Sequence, residues 1–196
     1  MKTGRLEAFS DGVLAIAITI MVLEMKAPED TTLQGLLTVA PTFISYLLSF
    51  IYIGIYWNNH HHLMQVTQKV NGKILWANLH LLFWLSLIPF TTSWLGEHEN
   101  YTEALPVAVY GVVLLMCAIA YFILERVLVK HHKDNEMLAK LCSSGIKDYV
   151  SMSLYIISIP LAYLNTWVAI ACYLIVAFIW LMPDKNMEAF VDALEE

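Results

Sequence analysis

Long stretches with little or no charge alternate along the chain with short polar segments. Four of them approach or exceed the roughly 20 apolar residues that cross a bilayer as a helix, and two shorter ones follow. The six stretches are residues 8–25, 35–57, 74–95, 104–124, 149–164 and 167–182. The pattern predicts an all-α integral membrane protein with six transmembrane helices, built as a single repeat.

The flanking polar residues set the boundaries of the predicted helices. They are helix one at 5–25, helix two at 35–57, helix three at 74–95, helix four at 104–127, helix five at 146–164 and helix six at 167–183. Residues 1–185 would form one membrane domain, and residues 186–196 a cytoplasmic tail. The last two apolar runs are roughly 24 Å long as helices, and only Asn165 and Thr166 separate them. A re-entrant hairpin is therefore the alternative to two full spans.

Basic residues fall on alternate polar segments, which gives the predicted orientation. Ten of the eleven lie before the first apolar stretch, between the second and third, between the fourth and fifth, or after the sixth. Lys26 is the exception. Because basic residues favour cytoplasmic loops, we expect both termini to be cytoplasmic. The two loops on the opposite, outer side are acidic: one carries Glu29 and Asp30, and the other carries Glu97, Glu99 and Glu103.

Composition narrows the class of protein. The chain is 59% hydrophobic and 14% charged, which excludes an ordinary soluble domain or a disordered chain. None of the three cysteines lies in a predicted outward loop, so no disulfide framework is expected. The net charge of −6 gives no sign of nucleic-acid binding. The chain also lacks a nucleotide loop, a zinc motif, a nucleophile elbow and a Thr-Val-Gly-Tyr-Gly potassium filter.

Helix one carries ionisable residues at its mouth. Arg5, Phe9, Ser10 and Asp11 form the pattern Arg-x-x-x-Phe-Ser-Asp, and an ionisable residue in a membrane helix is by default a candidate for function. On a wheel of about 100° per residue, an apolar stripe lies on another face, with Arg5 near its cytoplasmic end. This stripe consists of Gly12, Ile16, Thr19, Ile20 and Leu23. It either packs against a helix or lines a pore with a hydrophobic constriction.

Polar side chains from three predicted helices fall at one depth near the cytoplasmic side. They are Arg5, Ser10 and Asp11 in helix one, residues 57–62 at the end of helix two, and Trp76, Asn78 and His80 in helix three. Asp11 needs a partner to stay charged there, and Arg5, His61, Trp76 and His80 can all donate. We interpret the group as a structural network that holds helix one rather than as a catalytic site.

The histidines leave two further alternatives open. His60, His61 and His62 diverge by about 100° per residue on a helix and cannot converge on one metal ion. A haem bound by His61 and His80 is conceivable. A cation- or proton-coupled transporter using Asp11 and His80 is the main alternative, although transporters usually place such charges at the bilayer midplane beside broken helices.

Glu24 ends helix one on the outer side. In an oligomer, it would form an acidic ring at a pore mouth and attract cations. It could equally be an exposed charge at the membrane interface. Both interpretations stay open on sequence alone.

The helix-one pattern resembles the hallmark of the transmembrane protein 175 family, the lysosomal potassium channels and their bacterial relatives. Other segments resemble the same family. They are Tyr-Trp-Asn-Asn-His-His at residues 56–61, Trp-Ala-Asn at 76–78 and Leu-Ile-Pro-Phe-Thr at 87–91. His62 departs from the pattern, where a basic residue such as arginine is expected.

The resemblance implies a potassium-permeable cation channel and not an enzyme, with neither a cofactor nor a bound metal. One six-helix repeat implies a homotetramer in the plasma membrane of a prokaryote, with four copies of helix one around a central pore. By position, Ile16 matches the isoleucine of the hydrophobic constriction, and Thr19 matches a pore threonine linked to potassium preference. Arg5, Ser10 and Asp11 match the motif that holds helix one against helices two and three.

Overall fold

The structure, a computed structural model, describes residues 3–67, 69–97, 103–132, 135, 138, 142 and 145–181. These residues form eight α-helices. They are α1 (Gly4–Leu23), α2 (Leu33–Thr38), α3 (Ala40–Gln65), α4 (Gly72–Leu85), α5 (Ile88–Glu97), α6 (Ala104–His131), α7 (Ile146–Leu161) and α8 (Thr166–Leu181). The predicted tail, residues 186–196, lies outside the described residues.

Predicted helix two corresponds to α2 and α3. The short α2 ends at Thr38, and a proline lies in the first turn of α3, where its missing N–H costs no helical hydrogen bond. α3 then continues past residue 57 to Gln65. The polar residues that suggested an end at 57 are therefore helical.

Predicted helix three is divided into α4 and α5, with Ser86 and Leu87 between them. Pro89 has no N–H to donate to the preceding turn, which explains the break. The Ser86 hydroxyl donates to the carbonyl of Phe83 at 2.7 Å and satisfies one of the carbonyls near the end of α4. The two helices still form one apolar stretch, Gly72–Glu97, of 26 residues.

Four helical stretches are long and apolar enough to cross a membrane. They are Gly4–Leu23, Ala40–Gln65, Gly72–Glu97 and Ala104–His131. α7 and α8 have 16 residues each and fall short of the length of those four. The described part of the chain is thus all-helical, with four candidate spans, the short α2 and the two 16-residue helices α7 and α8.

Short polar side chains fix where several helices begin. Thr32 accepts a hydrogen bond from the Gly35 N–H at the start of α2. Asn71 does the same for Ile74 at the start of α4, at 3.0 Å. Such N-caps satisfy backbone donors that have no partner inside the helix.

α1 lies at one side of the helical bundle. It packs against α3, α4 and α5, whereas α6 packs against α4, α5, α7 and α8. α3 joins the two halves because it contacts α1, α5 and α8. One face of α1 is therefore turned toward the bundle and the opposite face away from it.

Buried tyrosines link α3, α6, α7 and α8. The Tyr52 hydroxyl donates to the carbonyl of Tyr173 at 2.6 Å and accepts from the Tyr155 hydroxyl at 3.1 Å. The Tyr173 hydroxyl donates to the carbonyl of Val107 at 2.9 Å. A Cβ at Gly111 would collide with that hydroxyl, so the glycine permits the close approach of α6 and α8. Because these groups are far from water, each needs such a partner.

We expect Tyr52→Phe to lower the stability of the subunit, because it removes the hydrogen bond to the Tyr173 carbonyl and leaves the Tyr155 hydroxyl without its acceptor. Buried polar groups that lose a partner cost about 1–2 kcal/mol in membrane proteins, which corresponds to a melting temperature lower by roughly 2–8 °C. Thermal unfolding of the purified protein in detergent measures this. Tyr163→Phe, at a side chain that is mostly exposed, is the matched control. Equal melting temperatures for the two variants would contradict the expectation.

Candidate ion pathway and the polar scaffold of α1

The two faces of α1 differ sharply in their surroundings. Its buried residues are Leu6, Ser10, Leu14, Ala17 and Met21, which recur every three or four positions and so follow one side of a helix. The predicted stripe lies opposite. Every member of it, Gly12, Ile16, Thr19, Ile20 and Leu23, is exposed on the described chain.

The exposure of the stripe is large for aliphatic side chains. Ile16 is 60% exposed and Leu23 is 74% exposed. A Cβ placed on Gly12 would meet nothing within 4 Å, so this glycine is not needed for packing inside the subunit. The stripe therefore does not serve to pack α1 onto its own bundle.

Thr19 contributes a polar atom to the stripe. Its hydroxyl donates to the carbonyl of Ala15 at 2.8 Å. This bond uses the only proton of the hydroxyl, and the oxygen lone pairs remain available on the exposed face. A cation close to this face would meet an acceptor rather than a donor.

A chain of buried hydrogen bonds ties α1 to α4 and α3. The Asn78 amide donates to the Ser10 hydroxyl at 3.0 Å, and the Ser10 hydroxyl donates to the carbonyl of Leu6 at 2.9 Å. The other amide atom, Asn78 Oδ1, lies 2.8 Å from His60 Nε2. Because a carbonyl oxygen can only accept, His60 carries its proton on Nε2. Asn78 and Ser10 are fully buried, and His60 nearly so.

Two further contacts join α1 to α3 at the same level. The Trp57 indole N–H donates to Asp11 Oδ1 at 3.1 Å. His61 Nδ1 lies 2.8 Å from Glu7 Oε1, and His61 Nε2 lies 2.9 Å from the Gln65 amide nitrogen. Since that amide can only donate, His61 accepts at Nε2 and donates to Glu7 through Nδ1. Together with the buried chain, these contacts form what we call the polar scaffold: Glu7, Ser10, Asp11, Trp57, His60, His61 and Asn78.

Four predicted network residues lie outside this scaffold. Arg5 and Phe9 are exposed, and Trp76 is 75% exposed. His80 accepts from the Trp84 indole at 3.0 Å, so its described hydrogen bond stays within α4. Of the predicted group, the structure brings together Ser10, Asp11, His61 and Asn78.

The scaffold also contains residues to which the sequence had given no individual role. Trp57 and His60 belong to the polar end of predicted helix two, from which the prediction names His61 alone as a donor. Glu7 has no role in the prediction. A signal for it was present, because Glu7 and Asp11 are four residues apart and so lie on one face of a helix.

At the other end of α1, Glu24 borders a crevice between α1 and the region of α4 and α5. The Ser93 hydroxyl donates to Glu24 Oε2 over a long distance of 3.4 Å. The crevice has a volume of about 550 Å³ and also receives Ile20, Phe90 and Glu97. Carboxylates and an exposed end of the apolar stripe thus lie side by side. Within the described residues, no three His, Cys, Asp or Glu side chains converge so that they could hold a metal ion.

The arrangement agrees with a known family of channels. The family model described as endosomal/lysosomal potassium channel TMEM175 matches residues 5–89, which contain all of α1 but Gly4 and the whole of α3 and α4, where the scaffold's partners lie. A solved structure of a lysosomal potassium-selective channel TMEM175 homolog from Chamaesiphon minutus superposes with a TM-score of 0.77 and 28% sequence identity. The match covers 91% of this chain and 96% of that chain.

Relatives in sequence include bacterial and animal proteins. A protein of Chryseobacterium sp. (strain P1-3) named potassium channel is 53% identical over 188 residues, which cover 96% of this chain and 97% of that protein. The rat endosomal/lysosomal proton channel TMEM175 is 29% identical over 123 residues, and the match covers 59% of this chain but 23% of the rat protein. The resemblance predicted from the motifs is confirmed: this chain belongs to the TMEM175 family of multi-pass membrane channel proteins.

Proposed function

We propose that this protein is a potassium-permeable cation channel of the prokaryotic plasma membrane. It works as a homotetramer in which four copies of α1 surround a central pore. The observation that carries the proposal is the exposure of the whole stripe from Gly12 to Leu23 on a helix whose opposite face is packed. Family membership supports the same conclusion, since bacterial relatives are named potassium channels.

In the proposed pore, Ile16 forms a hydrophobic constriction in place of a carbonyl filter. A narrow ring of branched aliphatic side chains excludes water, and an ion crosses dry hydrocarbon only at high cost. Thr19 lies about one turn farther along the helix. Its oxygen acceptors are the polar atoms that a dehydrating cation meets there.

The proposed topology has six spans, both termini in the cytoplasm and one membrane domain over residues 1–185. α7 and α8 supply the last two spans as a tight hairpin. With 16 residues each, they are roughly 24 Å long, slightly less than the hydrocarbon core. Local thinning of the bilayer accommodates such a mismatch at modest cost.

A transporter that uses Asp11 and His80 receives less support from the geometry. Asp11 accepts from Trp57 on α3, while His80 accepts from Trp84 on α4 itself. The two groups thus serve separate contacts. A haem held by His61 and His80 is also disfavoured, because both ring nitrogens of His61 already form hydrogen bonds.

The proposal is tested by reconstituting the purified protein in planar bilayers with potassium on one side and sodium on the other. A channel gives unitary current steps and a reversal potential displaced toward that of potassium. Saturable flux without steps would indicate a transporter instead. The mass of the detergent-solubilised particle, measured by light scattering, tests the tetramer independently.

We expect Glu24→Gln to reduce the conductance at low salt and to matter little at high salt. As a ring at the outer pore mouth, the carboxylates would raise the local cation concentration. Salt screens this attraction: its range, the Debye length, is about 3 Å at 1 M salt and about 30 Å at 0.01 M. Conductance is recorded at both concentrations. Glu29→Gln, at an exposed carboxylate of the loop after α1, is the control. An equal fractional loss at both salt concentrations would show that Glu24 binds the permeating ion directly.

A further inference from the structure

The crevice between α1 and the region of α4 and α5 has the size of a small-molecule site. One wall is a single face of α5, whose members recur every three or four positions. They are Phe90, Ser93, Trp94 and Glu97. The other wall is the flank of α1 that carries Ile20 and Glu24. The volume of about 550 Å³ falls in the range of about 300–1,000 Å³ that ligand pockets have.

The chemistry of the walls changes along the crevice. In the proposed topology, α1 and α5 both run toward the outer side, and the Ser93 hydroxyl reaches Glu24. Ile20 and Phe90 therefore lie deeper, roughly one turn below that contact. Glu97 lies about one turn beyond Ser93, and both carboxylates are exposed. The crevice is thus apolar at its inner end and acidic at its outer end.

Two aromatic rings also line the crevice. The centroids of Phe90 and Trp94 lie 5.9 Å apart, with an angle of 37° between the ring planes. The faces of such rings carry partial negative charge and attract cations. Among the described residues, no lysine, arginine or histidine lines the crevice. The negative charge of Glu24 and Glu97 is therefore not balanced inside it.

These walls match an organic cation better than a metal ion or an anion. An ammonium group that bears carbon substituents is attracted to ring faces, and its apolar part gains free energy on leaving water. A small metal ion gains neither from apolar walls nor from the two carboxylates alone. An anion is repelled by both carboxylates. Charge, aromatic rings and an apolar floor point to one chemical class.

We propose that the crevice binds a free organic cation, an ammonium with an apolar or aromatic body, from the outer solution. The ammonium group lies at the acidic end between Glu24 and Glu97, beside the Trp94 ring. The body of the molecule lies against Ile20 and Phe90. A lipid headgroup with an ammonium group is a poorer occupant, because two carboxylates repel the phosphate that it also carries.

The bound cation also affects the proposed pore. Glu24 borders both the crevice and the outer end of the stripe, so an ammonium beside it cancels the charge that would attract potassium. We therefore expect organic cations to lower the potassium current from the outer side. This last step rests on the function proposed above; the binding itself does not.

Equilibrium dialysis of the full-length protein in dodecyl maltoside at low salt tests the binding, with benzyltrimethylammonium as the probe. We expect saturable binding of one molecule per subunit. Choline should displace the probe, whereas 3,3-dimethylbutan-1-ol should not, because it has the same shape with carbon in place of the charged nitrogen. Equal displacement by the two competitors would show that only apolar contacts matter, and the proposal would fail.

The variant Glu24→Gln/Glu97→Gln removes both carboxylates of the crevice and should bind the probe roughly fivefold more weakly or worse. Glu29→Gln/Glu103→Gln is the matched control, because it removes two exposed carboxylates that do not line the crevice. The control should bind like the wild type. Equal weakening in both variants would mean that the overall charge attracts the probe, which would overturn the site.

A second pair of variants tests the aromatic contribution. Trp94→Leu should weaken binding by roughly threefold, the scale of an exposed cation–π contact, while Trp94→Phe keeps a ring face and should bind within about twofold of the wild type. Unchanged binding in Trp94→Leu would show that the probe does not lie in this crevice.

The same dialysis in phosphatidylcholine nanodiscs distinguishes the free cation from a lipid headgroup. With empty nanodiscs subtracted, the affinity should equal that in dodecyl maltoside, which has no ammonium group. Binding that disappears in the nanodiscs would mean that the choline headgroup occupies the crevice, and the proposal of a free cation would be wrong.

Bilayer recordings test the consequence for conduction. Benzyltrimethylammonium added on the outer side should lower the wild-type current at about 0.01 M salt, where the carboxylates act over the longest range. The Glu24→Gln/Glu97→Gln variant should be insensitive. Equal inhibition of both would overturn the coupling to the pore. If the wild type gave no unitary currents even without the probe, the proposed channel function would fail, while dialysis would still decide on the crevice.

Discussion

Replacing Ile16 with asparagine is expected to increase the current and to reduce the preference for potassium over sodium. In the proposed pore, four isoleucines form the dry constriction, and four amides in their place would hold water. Hydration lowers the barrier for every monovalent cation and removes part of the difference between them. Ile16 packs outside the bundle core, so the fold and the tetramer should survive. A several-fold rise in unitary conductance is the expected scale.

Reversal potentials under asymmetric potassium and sodium measure this effect. Ile16→Val keeps an aliphatic ring and should leave the ratio close to that of the wild type. Ile156→Asn, at an exposed isoleucine on α7, controls for a polar substitution on an exposed apolar surface away from α1. Thr19→Ala should lower the ratio with less change in current, because it removes the oxygen acceptors and leaves the ring of isoleucines. If neither Ile16→Asn nor Thr19→Ala shifts the reversal potential, α1 does not line the pore.

Replacing Asn78 with leucine is expected to destabilise the subunit more than any other single change in the scaffold. Asn78 is fully buried and bonds to Ser10 and His60 at once. Leucine has the same number of side-chain non-hydrogen atoms with the same branching, but it leaves the His60 Nε2–H without an acceptor and Ser10 without a donor. The loss should be about 2–4 kcal/mol, equivalent to a melting temperature lower by roughly 5–15 °C.

Asn58→Leu is the matched control, since Asn58 is exposed on α3 near the same level. Thermal unfolding and size-exclusion chromatography in detergent report the stability and the assembly of the two variants. We expect the Asn78 variant to lose both, because α1 is no longer held in place for the neighbouring subunits of the proposed tetramer. A fully stable, fully assembled Asn78→Leu protein would mean that the scaffold does not support α1.

Much of α1 could be predicted from the sequence because its information is local. The periodicity of a helix fixes which residues share a face, so the stripe around Ile16 and the opposite position of Ser10 follow from spacing alone. The depth of Asn78 in helix three also follows from counting residues from the membrane edge. A contact could therefore be predicted where it requires only that the residues lie at the same depth and on a known face of their helix.

The partners on α3 could not be chosen in the same way. α3 is apolar around most of its circumference, so its sequence does not determine how far it is rotated about its axis. A rotation of about 100° exchanges one residue for the next. Such a rotation decides that His60 reaches Asn78 and that its neighbour His61 reaches Glu7. Because the rotation of α3 is not determined by its sequence, the contact between Trp57 and Asp11 could not be predicted either.

The break in predicted helix three had a local signal that hydropathy does not carry. Residues 74–95 read as one continuous apolar run, and Pro89 interrupts the hydrogen-bond ladder without changing that run. The polar residues at the end of α3, which continues to Gln65, cause the opposite error. Their composition resembles that of a loop, but they are helical and several of them bond to other helices. The break depends on the backbone N–H that Pro89 lacks, and the extension of α3 depends on partners elsewhere in the chain. Hydropathy reports neither of them.

The hydrogen bonds that seat α1 are concentrated between Glu7 and Asp11, and the buried residues from Leu14 to Met21 make apolar contacts. Hydrogen bonds have direction, whereas apolar contacts tolerate rotation and exchange of similar side chains. In the proposed channel, the residues that hold this helix in place are therefore separate from those that would face the ion. A chimera that keeps residues 4–11 and takes residues 12–23 from a relative would preserve the hydrogen bonds that anchor the helix. It would exchange the residues that face the proposed pore. α1 is therefore a segment in which channels of new selectivity could be engineered without changing the rest of the fold.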